Sequence, residues 1–65
     1  MTITREADYA LRIVFALSEE NAKIDANSLS EKIGVTLRFT LKILRKLVQG
    51  GVVRSYKGAG GGYAL

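Results

Sequence analysis

Apolar side chains recur at helical spacing in three segments of the chain, and the clearest segment covers residues 36–49. It predicts one amphipathic helix with an apolar stripe facing a core. Thr36 stands where an N-cap residue is expected, and the pair Gly50 and Gly51 provides a left-handed stop after the helix. The predicted stripe consists of Phe39, Thr40, Ile43, Leu44 and Leu47.

The same helix carries a bare cationic face, formed by Arg38, Lys42, Arg45 and Lys46, which lie off the apolar stripe. A buried face and a cationic face on one helix indicate an anionic partner. The alternative is a core helix whose basic side chains are only solvated.

The first predicted helix covers residues 5–19, with Thr4 as its cap and Glu6 in its first turn, where the helix dipole favours an anion. Its apolar positions form a broad arc, and for most of them we expect core packing. Contact of part of the arc with a second chain or a missing C-terminal segment is the alternative. Tyr9 falls outside the arc and is expected at the rim of the domain. The arc consists of Ala7, Ala10, Leu11, Ile13, Val14 and Leu17.

A second, shorter helix is predicted over residues 26–33, after a polar loop and a very short strand at Ile24. Asp25 caps this helix and Gly34 ends it. Only Gly34, Val35 and Thr36 then separate it from the basic helix, with Val35 filling the corner between the two. This is a helix-turn-helix pattern, although many small helical domains have such short turns. The apolar positions of the second helix are Ala26, Leu29 and Ile33.

The periodicity changes after the basic helix. Residues 52–56 and 63–65 predict two strands of a hairpin around a flexible, basic, glycine-rich tip, and a hairpin after a helix-turn-helix is a wing. We expect the tip glycines, Gly61 included, to use positive φ angles. A phosphate-binding loop is disfavoured, because no Lys-Ser/Thr pair and no helix follow the glycines.

The 65 residues predict one small domain, mainly α with a small β-hairpin. The chain has no Cys and no His, so it lacks a thiolate nucleophile, an imidazole base and the usual soft metal ligands, and an enzyme is not expected. No apolar run approaches the roughly 20 residues of a membrane span, so we expect no membrane contact and a cytoplasmic location.

Charge is strongly segregated along the chain. The first 31 residues hold all six acids and three bases, whereas residues 32–65 hold seven bases and no acid. Such asymmetry is typical of a surface that meets nucleic acid or an anionic membrane.

Several segments resemble one family, above all residues 57–65, with the sequence Lys-Gly-Ala-Gly-Gly-Gly-Tyr-Ala-Leu. Together with residues 8–12, 35–47 and 51–53, they resemble the Rrf-two family of bacterial winged-helix transcription regulators, of the IscR, NsrR and CymR type. The resemblance covers nearly the whole chain, and Ala59 stands where the family's wing usually has Pro, which loosens the tip.

The resemblance implies a third helix in the major groove of double-stranded DNA and a wing that reaches the backbone or the minor groove. Leu41 and Lys42 stand where some members have Glu and Gln, so the operator of those members is not expected here, because Leu41 cannot accept a hydrogen bond from cytosine. The implied DNA-binding residues are Thr36, Leu37, Arg38, Leu41, Lys42, Arg45, Lys57, Gly58, Gly60 and Gly61.

Full-length family members continue into a dimerisation helix and often carry an iron-sulfur cluster. The resemblance therefore implies that residues 1–65 are the DNA-binding half of a regulator, either a truncated form or a naturally minimal relative, with no cofactor of its own. When full length, the regulator is expected to form a homodimer on a palindromic operator. A winged-helix module for protein contacts is the alternative, because the fold does not fix the partner. Salt dependence separates the two, because phosphate binding weakens steeply with added salt.

Overall fold

The computed structural model describes residues 4–20 and 22–65, which form three helices followed by a two-stranded hairpin. This confirms the predicted winged helix-turn-helix architecture, and the first helix extends one residue beyond its predicted end. The elements are α1 (Arg5–Glu20), α2 (Ala26–Ile33), α3 (Leu37–Gln49), β1 (Arg54–Tyr56) and β2 (Gly62–Ala64).

Each helix begins at the predicted capping side chain. The hydroxyl of Thr4 accepts from the N–H of Ala7 at 3.1 Å, and the hydroxyl of Thr36 accepts from the N–H of Phe39 at 3.2 Å. The Asp25 carboxylate accepts from both the side chain and the backbone of Ser28, and these hydrogen bonds lower the pKa of Asp25. The caps fix where the helices start, because they satisfy N–H groups that have no partner within the helix.

The core lies between the three helices and the base of the hairpin. Besides the apolar residues of the core, the polar residue Thr40 is fully buried. Its hydroxyl donates to the carbonyl of Thr36 at 2.9 Å, so the buried polar group has a hydrogen-bond partner. The predicted apolar stripe of α3 and the inward position of Leu29 are confirmed. The buried apolar residues are Ile13, Ala16, Leu17, Ile24, Leu29, Ile43, Leu44 and Val53.

The predicted arc of α1 is only partly correct. Ile13 and Leu17 are buried, but Leu11 is 60% exposed and Ala7 is exposed as well. Phe15, one turn beyond Leu11, is 64% exposed. Apolar residues surround most of α1, and packing against α2 and α3 covers only the side that carries Ile13 and Leu17.

The hairpin is antiparallel, with Arg54 opposite Ala64 and Tyr56 opposite Gly62. Its first strand is shorter than predicted, because the N–H groups of Val52 and Val53 donate to the carbonyl of Leu47 and belong to the turn that ends α3. Within this turn, Gly51 has a φ of 77°, whereas Gly50 has a φ of −82°. The left-handed stop is therefore Gly51 alone.

The predicted short strand at Ile24 is a single β-bridge to Tyr63. Both backbone polar groups of Tyr63 bond to those of Ile24, at 2.8 and 2.9 Å. A Cβ on the neighbouring Gly62 would lie 2.8 Å from the Ile24 carbonyl oxygen, so this close approach requires glycine. The segment before α2 thus attaches the hairpin to the helices.

Candidate nucleic-acid interface

The turn between α2 and α3 holds the start of α3 in place. Gly34 adopts the left-handed conformation, with a φ of 74°, and the N–H groups of Gly34 and Val35 both donate to the carbonyl of Ser30, at 2.9 and 3.1 Å. Val35 is half-buried, as expected for a residue that fills the corner. A short turn with two backbone hydrogen bonds to α2 allows α3 little freedom relative to that helix.

The outward face of α3 brings together four of the predicted site residues in one open groove. Arg38 and Arg45 are two turns apart on this face, which puts them on the same side of the helix, about 10 Å apart along its axis. The groove is lined by Arg38, Leu41, Lys42, Arg45, Lys46 and Gln49. Leu41 is 41% exposed between the two arginines and presents an apolar contact within a cationic surface.

Thr36 and Leu37 lie outside this groove. Thr36 lines a separate depression at the start of α3, together with Arg5 and Phe39, and its hydroxyl oxygen serves the helix cap. Leu37 is 38% exposed in the first turn. Both therefore lie at the N-terminal end of α3, within two residues of Arg38, where the arginine-lined groove begins.

The cationic face of α3 is not bare, which corrects the prediction made from the sequence. The Glu6 carboxylate of α1 pairs with Lys46 at 2.5 Å and with Lys42 at 3.2 Å. The hydrogen bonds and charges of these lysines hold the pKa of Glu6 below its usual value, and the hydrogen bond from Lys46 contributes most. Glu6 is therefore ionised at neutral pH. Within residues 4–20 and 22–65, no carboxylate pairs with Arg38 or Arg45.

The wing tip, residues 57–61, lies between the two strands. Lys57, Gly58 and Gly60 are exposed, and the two glycines have φ angles of 88° and 76°. Gly61 does not adopt a positive φ, contrary to the expectation for the whole tip. It is required for another reason: a Cβ there would lie 2.4 Å from the carbonyl oxygen of Tyr56.

We therefore expect Gly61→Ala to distort the wing tip, because the obstructing atoms belong to the backbone and cannot rotate away as a side chain would. Far-UV circular dichroism should show intact helices, while hydrogen exchange at the tip amides should become faster. Gly50→Ala is the matched control, since Gly50 has a negative φ and an added Cβ would have its nearest neighbour at 3.5 Å. Unchanged exchange at the tip of the Gly61 variant would contradict this account.

One contact beside the wing was not predicted. The Lys23 ammonium, in the connection before α2, lies 4.5 Å from the centre of the Tyr56 ring at the end of β1. Such a cation–π contact helps to hold β1 against the connection. No sequence signal indicates it, because the two residues are far apart in the chain and meet only after the hairpin docks.

Three helices, a short turn before a cationic third helix and a docked hairpin define a winged helix-turn-helix protein. Residues 3–65 match the model of the Rrf2 family, described as "Iron-dependent Transcriptional regulator". The chain belongs to the Rrf2 family, which confirms the resemblance found in its sequence.

The curated relatives include the HTH-type transcriptional regulator IscR of Cronobacter sakazakii and that of Vibrio vulnificus strain YJ016. Each is 31% identical to this chain over 67 residues, an alignment that covers all of the chain and 41% or 40% of the relative. The chain thus spans less than half the length of these relatives.

The fold of this chain is shared by solved structures. The chain superposes on CymR, the global cysteine regulator of B. subtilis, with a TM-score of 0.92, and on T. potens IscR with a TM-score of 0.88. Each is 24% identical, and the match covers the whole chain and 52% or 49% of the other protein. The arrangement of helices and wing is therefore that of known Rrf2-type regulators.

The family description names iron, but the residues of this chain do not suit an iron site. The chain has no Cys and no His, and the described residues include no cluster of three acids that would hold a metal. We assign no iron ligand to this segment. None of the described helices is long and apolar enough to cross a membrane.

Proposed function

We propose that this chain is a sequence-specific, DNA-binding transcription-regulator domain that inserts α3 into the major groove of double-stranded DNA. The observation that carries the proposal is the outward face of α3, where Arg38 and Arg45 are exposed and free of carboxylates within the described residues. An α-helix fits the major groove, and arginine is the commonest reader of guanine edges there.

Leu41 supports a specific rather than a purely electrostatic contact. An exposed leucine between two arginines gives no phosphate affinity, but it can contact the methyl group of thymine. We therefore expect a site in which guanines contacted by Arg38 and Arg45 flank a thymine opposite Leu41. Thr36 and Leu37, at the start of α3, would lie near the backbone at one edge of this site.

The wing has a separate role in the proposal. Lys57 is exposed at a tip whose Gly58 and Gly60 have no side chains, so the backbone there can approach a sugar-phosphate chain closely. Gly61 is needed for this tip conformation, because a Cβ at that position would collide with the carbonyl oxygen of Tyr56. We assign the wing to the DNA backbone or the minor groove.

The Lys57→Ala variant should bind selected and scrambled duplexes about equally more weakly, since a phosphate contact carries no sequence information. The slope of log affinity against log salt should become shallower by about 0.9, the value for one phosphate. Fluorescence anisotropy over a salt series measures both. A variant that keeps the full wild-type slope would show that the wing tip does not contact DNA.

The relatives of this chain are longer proteins that contain this domain. We further propose that a protein of that length forms a homodimer on a palindromic operator. One small domain reads one half-site, so two linked domains gain affinity from the second half-site without new kinds of contact. We also propose a location in the cytoplasm of a bacterial cell, where a DNA partner is found.

Selection of bound duplexes from a random pool, followed by affinity measurements in rising salt, tests the proposal. We expect an enriched sequence motif and a steep loss of affinity with salt. The competing function, a winged helix that binds another protein, predicts no enriched motif. An unenriched pool together with no salt-dependent binding would refute DNA recognition.

A further inference from the structure

Among the described residues, the carboxylate that pairs with α3 comes from another helix. Glu6 lies 40 residues before Lys46 and is brought to it by the packing of α1 against α3. Its two oxygens are divided between two ammonium groups: Oε1 contacts Lys46 and Oε2 contacts Lys42. One side chain thus engages two of the four basic residues that line the α3 groove.

We propose that Glu6 is an internal competitor for DNA phosphate, which occupies Lys42 and Lys46 and so lowers the affinity of the domain for DNA of arbitrary sequence. This rests on the proposed DNA-binding function. A carboxylate and a phosphate both accept hydrogen bonds from an ammonium group through anionic oxygens. The two groups therefore compete for the ammonium groups of Lys42 and Lys46. A phosphate must displace Glu6 or lie beside its negative charge.

The pairing divides the groove into two classes of cation. Lys42 and Lys46 are partly neutralised, whereas Arg38 and Arg45 have no carboxylate partner in the described parts of the chain. Binding to arbitrary DNA depends almost entirely on phosphate neutralisation. Restraining the lysines therefore weakens mainly this kind of binding and leaves the base-reading arginines free.

The position of Glu6 also makes the competition reversible. Its side chain is 38% exposed, and those of Lys42 and Lys46 are 57% and 59% exposed, so water and ions reach all three groups. Exposed ion pairs of this kind are weak and are screened by salt. A phosphate held by further contacts of the domain can therefore displace Glu6 locally without unfolding α1.

The test compares Glu6→Gln with Asp8→Asn. Both acids lie in the first turn of α1, and each substitution raises the net charge of the chain by one. Asp8, however, pairs with Arg12 at 3.4 Å and not with α3. The probe is a short duplex of scrambled sequence, and its affinity is measured by fluorescence anisotropy over a salt series. Thermal unfolding checks that each variant folds.

We expect Glu6→Gln to bind the scrambled duplex about three- to tenfold more tightly at low salt, with a salt slope steeper by about one to two units, because two lysines become available. Asp8→Asn should change the affinity by less than about twofold, since it releases no lysine on α3 from an ion pair. Replacing Lys42 and Lys46 by Gln should abolish the gain from Glu6→Gln.

Each other outcome counts against the proposal. An equal gain in the Asp8 variant would reduce the effect to net charge. Unchanged or weaker binding by a folded Glu6 variant, while the wild-type chain binds DNA, would overturn the role of Glu6 alone. Absence of any DNA binding by the wild-type chain would overturn both this inference and the proposed function.

Discussion

The double variant Arg38→Ala/Arg45→Ala is expected to lose about 2 to 6 kcal/mol of binding free energy for a selected operator site. Each arginine that reads a guanine edge contributes about 1 to 3 kcal/mol, and the two effects should add because the residues are two helical turns apart. Each single variant should also tolerate more bases at one position of the site. Anisotropy with the selected duplex and its single-base variants measures both effects.

Arg12→Ala is the control for this prediction. Like each single variant, it removes one positive charge from the exposed surface, but Arg12 lines a different depression, with Glu19 and Lys32. Its affinity for the selected site should therefore stay close to that of the wild-type chain. An Arg38/Arg45 variant that binds as well as the Arg12 control would exclude α3 as the recognition helix.

The second large effect concerns the stability of the domain. Leu44 is fully buried in α3, and Leu44→Ala is expected to lower the free energy of unfolding by about 2 to 5 kcal/mol, through lost transfer free energy and the cavity left behind. A domain of this length has only about 3 to 10 kcal/mol in total. Urea denaturation followed by circular dichroism should show a large shift of the midpoint or a chain already unfolded in buffer.

Leu41→Ala makes the matched comparison, since it changes the same residue type in the same helix at an exposed position. Its stability should change by about 0.5 kcal/mol or less, while its discrimination at the thymine position should fall. Equal destabilisation by the two substitutions would contradict the separation of α3 into a buried and a recognition face.

The elements of this fold were predictable because their signals are local. Thr36 and Asp25 precede apolar stripes as capping residues do, and Gly34 follows the second stripe, so the helix boundaries depend on hydrogen bonds within a few residues. The inward positions of Ile43 and Leu44 follow from helical spacing alone. The strand bounds were less predictable, because a valine pair suits both a strand and the turn that precedes one.

The electrostatics of the candidate site could not be predicted in the same way. Segregation of acids and bases along the chain suggested an uncompensated cationic helix, yet packing of α1 on α3 returns Glu6 to that helix. Likewise, an apolar pattern that surrounds most of α1 does not show which side the core covers, and Leu11 lies outside it. Both errors concern tertiary packing, which depends on contacts between distant segments.

The bridge between Ile24 and Tyr63 has a consequence for how the wing moves. Both backbone groups of Tyr63 bond to the segment that precedes α2, so the base of the wing is part of the cooperative unit that includes the helices. The exposed tip around Lys57 has no such attachment among the described contacts. The base of the wing is therefore fixed relative to α3, whereas its tip can change position. Under the proposed function, the tip could adapt to the shape of a DNA groove without moving the recognition helix.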